Sequence, residues 1–242
     1  MIGIIGFGRF GKLTAGYLAQ DFDVFVFNRT DKSAEIKKSG ACKASLKTVC
    51  QQKIVILCVP ISALKAVLVE IGPLLNQNSV VVDVCSVKVY PSQWMKSLLP
   101  ETVSILATHP IFGPDSAADS LKDRKIFISP IRISKKQFQK IKTYLASKEL
   151  VVIESTPEDH DEQIAVSLAL THYIGRTLSE FGAAPLIIDS EGYKRLLHIL
   201  GVVEHDTWQL FYDMHRYNPY AKEKRTAFIE AMQKISEQIE SS

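Results

Sequence analysis

The sequence predicts an α/β chain: an N-terminal doubly wound sheet followed by a smaller all-helical domain. Three observations predict it. Short β-rich runs alternate with helical stretches through residue 154, and a glycine-rich turn directly follows the first run. Beyond Thr156-Pro157-Glu158 almost every apolar position falls at helical spacing.

Taken in order, strands are expected at Ile2–Gly6, Val24–Phe27, Ile54–Val59, Ser79–Asp83, Val103–Thr108, Ile126–Ile128 and Leu150–Ile153. Most are continuous apolar runs, the pattern of strands covered by helices on both faces. Helices are expected between them, among others over Gly11–Ala19, Ser62–Ile71 and Lys135–Ala146, which gives right-handed βαβ units. In the second half Val166, Leu170, Ile174, Leu178 and Phe181 mark an apolar stripe, and Phe228, Met232, Ile235 and Ile239 repeat it. Gly182, Pro185 and Asn218-Pro219 break these helices. The chain therefore divides into residues 1–154 and 155–242. The second part is small for an independent core, so its apolar faces are expected to pack on the first domain or on a second copy, as a homodimer.

Composition removes several function classes. A formal net charge of +3, with Lys and Arg dispersed, argues against nucleic acid as a partner. No apolar run approaches the roughly 18 residues of a membrane span, and the N-terminus lacks the basic start of a signal peptide. Cys42, Cys50, Cys58 and Cys85 form no C-x-x-C pair, and no metal-ligand spacing emerges among the histidines. A cytoplasmic protein acting on a small molecule is expected.

Gly6, Gly8 and Gly11 in Gly6-Phe7-Gly8-Arg9-Phe10-Gly11 match G-x-G-x-x-G between a strand and a helix, so residues 1–154 are expected to be a Rossmann-type dinucleotide-binding domain. The first glycine permits the tight turn, the second lets backbone approach the pyrophosphate, and the third lets helix and strand pack. The helix N-terminus offers free N–H groups to phosphate. At the end of the second strand, where NAD enzymes carry Asp or Glu, stands Asn28-Arg29-Thr30. These residues suit a 2′-phosphate, so NADP is the expected cofactor. Asp31 leaves NAD use open.

Two strand-end segments carry the chemistry: Asp83-Val84-Cys85-Ser86-Val87-Lys88 and Thr108-His109-Pro110-Ile111-Phe112-Gly113-Pro114-Asp115. Together with Cys58-Val59-Pro60 they resemble the prephenate/arogenate dehydrogenases of tyrosine biosynthesis, which commonly carry D-x-x-S-x-K and H-P-x-x-G at these places. The resemblance continues through Glu158-Asp159-His160-Asp161, Leu170-Thr171-His172-Tyr173 and Tyr193-Lys194-Arg195-Leu196, and so covers nearly the whole chain.

The resemblance implies an oxidative decarboxylation of prephenate, or of arogenate, driven by aromatisation. His109 would accept the ring hydroxyl proton, for which a pKa of about 6.5 is suited. Ser86 would orient the imidazole or the hydroxyl. Arg195 would clamp a carboxylate through its planar guanidinium. His172 and Lys88 would line the pocket. Asp115 would either pair with an ammonium group or cap the following helix. His160 between two aspartates suggests an exposed helix start.

Two rival classes remain. The β-hydroxyacid dehydrogenases use a lysine on the first helix of the second domain, and Glu162–Phe181 contains none. A non-catalytic NADP-binding sensor would have no need of His109, Ser86 and Arg195 together.

Overall fold

The computed structural model describes residues 1–242, the side chain of Val202 excepted. The chain divides into two compact units, Met1–Pro157 and Glu158–Ser242.

The first unit runs β1 (Ile2–Ile5), α1 (Arg9–Leu18), β2 (Val24–Phe27), α2 (Ser33–Lys38), β3 (Cys42–Lys43), α3 (Leu46–Cys50), β4 (Ile54–Leu57), α4 (Ile61–Ile71), β5 (Val80–Asp83), α5 (Val89–Leu98), β6 (Ser104–Pro110), β7 (Lys125–Arg132), α6 (Lys135–Ser147) and β8 (Val151–Glu154). They form one sheet in the order β3-β2-β1-β4-β5-β6-β7-β8. Every pairing is parallel except β6 with β7. Both alternating sets of strand residues are buried: Ile4, Val82 and Leu106 on one face, Val55, Val81 and Ile105 on the other. Helices thus cover both faces, which is why the strand sequences are almost purely apolar.

Hydroxyl caps start helices where the chain leaves the sheet. Ser45 accepts from the Thr48 N–H and Ser134 from the Gln137 N–H, each satisfying a helix donor worth about 1 kcal/mol. On one sheet face α1 and α6 flank a hollow of about 320 Å³. Its lining is almost entirely carbon, including Ile56, Val82, Leu106, Tyr17 and Ile141.

In the second unit α7 (Pro157–Ile164) passes through a π-helical segment (Ala165–Leu170) into α8 (Thr171–Phe181), and α9 (Glu191–Glu204), α10 (Trp208–Tyr217) and α11 (Ala221–Glu240) follow. Gly182 ends α8 at φ +79°. At Gly175 a Cβ would lie 2.8 Å from Val203 Cγ2, so α8 and α9 approach at a point where only glycine fits. The buried line of α7–α8 is Asp161, Ile164, Ala165, Ala169, His172 and Gly175. This corrects the expected stripe: Val166 and Phe181 are exposed, because the unit packs on its small residues. Leu186, Ile187, Ile188, Met232, Ile235 and Ile239 are exposed as well. No helix is long and apolar enough to cross a membrane among the described residues.

Candidate active site

Four neighbouring parallel strands, β1, β4, β5 and β6, end at one edge of the sheet, and their loops carry the four motifs. With strands about 4.8 Å apart, the glycine turn and the histidine strand lie roughly 14 Å from each other. Ligands of open α/β sheets gather at this edge.

The three glycines do different things. Gly6 has φ +97°, and a Cβ there would lie 2.2 Å from the Cys58 carbonyl oxygen. At Gly11 a Cβ would lie 2.3 Å from the Gly6 carbonyl oxygen, so this glycine lets α1 pack on the turn. At Gly8, the residue just ahead of α1, a Cβ would meet nothing within 4 Å. Open space beside a helix N-terminus is the cradle a pyrophosphate requires, and the residues here fit a dinucleotide.

Asn28 is committed. Its Oδ1 accepts from the Phe7 N–H at 2.9 Å, and its amide donates to the Thr30 carbonyl and hydroxyl. The side chain ties β2 to the glycine turn, and Arg29 and Thr30 beside it are exposed. Asp31 is held by Lys43 and Ser33, and these hydrogen bonds, Lys43 first, keep its carboxyl well below the usual range. In the Cys58-Val59-Pro60 loop burial pushes the Cys58 thiol up to about 12, and Pro60 precedes α4.

Asp83, at the end of β5, is the hub of the next two motifs. Its carboxylate accepts from the Cys85 N–H at 3.1 Å, the Thr108 N–H at 3.3 Å and the Lys88 ammonium. Lys88 also donates to the Thr108 carbonyl, and the Thr108 hydroxyl donates to the Asp83 carbonyl at 2.5 Å. Lys88 was expected to line the substrate pocket; it is instead fully buried, because its ammonium neutralises Asp83. His109 follows Thr108 directly and is 6% exposed. It stands two residues after Ala107, which is in register with Asp83, so His109 projects from the Asp83 face of the sheet. The Ser86 hydroxyl is buried without a hydrogen-bond partner.

Asp115 was expected at the substrate or as a helix cap. Its carboxylate is instead gripped by Arg9, with Nη2 2.5 and 2.6 Å from the two oxygens. No sequence signal links residues so far apart.

Within the second unit His172 is buried on α8. Its Nε2 lies 3.7 Å from Asp206 and its Nδ1 has no partner. Burial lowers its pKa, against an opposing pull from Asp206. His215, bonded to Arg225 and edge-on to Phe211, is lowered by burial to about 4. Arg195 sits exposed on α9. His160 is buried rather than exposed: its Nδ1 lies 2.8 Å from Asp161, whose carbonyl accepts from the Asn218 amide. Among the described residues no three His, Cys, Asp or Glu side chains gather as a metal site.

Residues 26–154 match the family model described as prephenate dehydrogenase, nucleotide-binding domain, and residues 177–242 match a TYRAAT1-like C-terminal domain. The chain is 30% identical over 248 residues to Arogenate dehydrogenase 1, chloroplastic, of Arabidopsis thaliana, covering 98% of this chain and 39% of that protein. To Arogenate dehydrogenase 2, chloroplastic, of the same plant it is 29% identical, covering 98% of this chain and 69% of the relative. Its fold is similar to the crystal structure of prephenate dehydrogenase from A. aeolicus in complex with hydroxyphenyl propionate and NAD+, at TM-score 0.79 and 18% identity, covering 98% and 90% of the two chains.

Proposed function

From the premise that the chain belongs to the prephenate/arogenate dehydrogenase family, we propose that it catalyses oxidative decarboxylation of prephenate to 4-hydroxyphenylpyruvate with NADP as cofactor. The observation that carries this reading is the buried Asp83–Lys88–Thr108 network, which fixes the backbone immediately before His109 on the ligand edge of the sheet.

The dinucleotide would be held by backbone at Gly6-Phe7-Gly8-Arg9-Phe10-Gly11, with the Cys58-Val59-Pro60 loop beside it. Arg29 and Thr30 would receive the 2′-phosphate. When bound it supplies the hydride acceptor. His109 accepts the ring hydroxyl proton, a role that needs the imidazole neutral at working pH. Ser86, with its buried hydroxyl unpaired, hydrogen-bonds the imidazole or the substrate oxygen. The family motif assigns Arg195 of the helical unit to a carboxylate, through a bidentate fork, and His172 to the lining of the pocket. The exposed Phe181, Ile187 and Ile188, with Met232, Ile235 and Ile239 on α11, support a homodimer formed through the helical unit.

Arogenate is the second reading, favoured by the names of the two plant relatives. Prephenate is kept as the first reading because the matching family model is described as prephenate dehydrogenase. Nicotinamide reduction, followed by absorbance with NADP⁺ and NAD⁺ each crossed with prephenate and arogenate, tests this. Turnover fastest with NADP⁺ and prephenate is expected. No reduction with any pair overturns the enzyme reading and leaves the nucleotide-binding sensor.

A further inference from the structure

Two charged residues that the sequence assigns to different ligands meet in the structure. Arg9 is the first residue of α1, at the helix end where the dinucleotide phosphates belong. Asp115 lies in the loop 111–124, which leaves the histidine strand β6. The two form an ion pair through both carboxylate oxygens. Two uncharged contacts hold the same loop on the same helix. The Phe10 and Phe112 rings pack at 6.2 Å, and the Tyr17 hydroxyl donates to the Ala117 carbonyl at 2.9 Å. Residues 9, 10 and 17 of α1 thus receive residues 115, 112 and 117 of the loop.

We propose that Asp115 is a residue of the dinucleotide site, where it competes with the cofactor's phosphates for the Arg9 guanidinium. The proposal rests on the dinucleotide reading of the glycine turn given above. Carboxylate and phosphate are alternative acceptors for the same guanidinium, whose Nη2 here serves both Asp115 oxygens. The N-terminus of α1 attracts anions, so phosphate arriving there meets the Arg9 guanidinium at the same helix end. Phosphate arriving at Gly8 must take the guanidinium from Asp115 or share it, and either event loosens one of the three points that dock the loop. The other two contacts carry no charge and keep the loop on α1 while the pair exchanges. Asp115 therefore sets dinucleotide affinity through Arg9, as a positioning residue. Both side chains are exposed, so the competition is modest and weakens as salt screens it.

Calorimetric titration of NADP⁺ at low ionic strength into the wild type, Asp115→Asn, Arg9→Gln and the double variant tests the proposal. Asp115→Asn should bind roughly two- to five-fold tighter, the scale of one exposed ion pair. Arg9→Gln should bind more weakly, and the double variant should match Arg9→Gln. The Asp115→Asn advantage should shrink in high salt. A variant no tighter than wild type overturns the proposal, as does a gain that persists without Arg9, since a bare charge effect needs no guanidinium. A wild type that binds neither NADP⁺ nor NAD⁺ overturns the dinucleotide reading itself.

Discussion

The Lys88 ammonium bonds the Asp83 carboxylate with both side chains fully buried, and it also reaches the carbonyl of Thr108, the residue before His109. A buried pair of this kind is costly to break, because the survivor is left as an uncompensated charge. Here the pair also joins the ends of two strands, β5 and β6, at the backbone that carries the proposed proton acceptor.

Lys88→Met should therefore lower unfolding free energy by ~3–5 kcal/mol in urea denaturation. Adding Asp83→Asn should recover part of that loss. A Lys88→Met protein as stable as the wild type would mean the pair does not hold the strand ends.

His109→Asn should reduce kcat/KM by about 10²–10⁴-fold while dinucleotide affinity, measured by titration, stays within about two-fold. Equal loss of both would make the histidine a structural residue of β6.

Gly8→Ala and Gly11→Ala should separate binding from folding. A methyl at Gly8 meets open space, so the melting temperature should hold while dinucleotide affinity falls about ten-fold or more. A methyl at Gly11 would lie 2.3 Å from the Gly6 carbonyl oxygen, which should cost ~1–3 kcal/mol of stability.

Arg29→Ala should lower affinity for NADP⁺ but not NAD⁺, by roughly ten-fold, since one charge-assisted phosphate contact is lost. Parallel losses for both dinucleotides would remove Arg29 from the 2′-phosphate site.

The glycine turn and the strand-end motifs were legible because each needs particular residue types at fixed spacing. The direction of β7 was not legible. Ile126-Phe127-Ile128 is an apolar run whichever way it pairs, and only the return of the chain after Pro110 makes it antiparallel. Lys88 was opaque for a similar reason: a lysine in a strand-end loop reads as lining a pocket until a buried partner five residues back is known. The acids around His160 suggested solvent, but Asn218, 57 residues after Asp161, closes that corner. The helical stripe misled because α7–α8 packs through Ala165, Ala169 and Gly175, whose small size gives them little weight in an apolar pattern. Arg195 and His172 were named from the family motif alone.

Stability should also fall with acid in a definite window. The folded-state pKa of His215, about 4, lies below its ordinary 6.5, so the unfolded chain takes up the proton first. His172 is shifted in the same direction. Stability should be flat between pH ~6.5 and ~8 and decline as pH falls toward 4, with His215 contributing up to ~3 kcal/mol. Chemical denaturation across that range should show a shallower slope for His215→Gln. An unchanged slope would mean that other groups govern the decline.

The hollow between α1 and α6 has a mechanical consequence. Its carbon lining holds water weakly, so the part closed off beside the buried Ile56, Val82 and Leu106 adds to the void volume that unfolding eliminates. The first unit should therefore shrink on unfolding and yield to hydrostatic pressure. Filling the space with a larger side chain at Leu106 should raise the pressure it withstands.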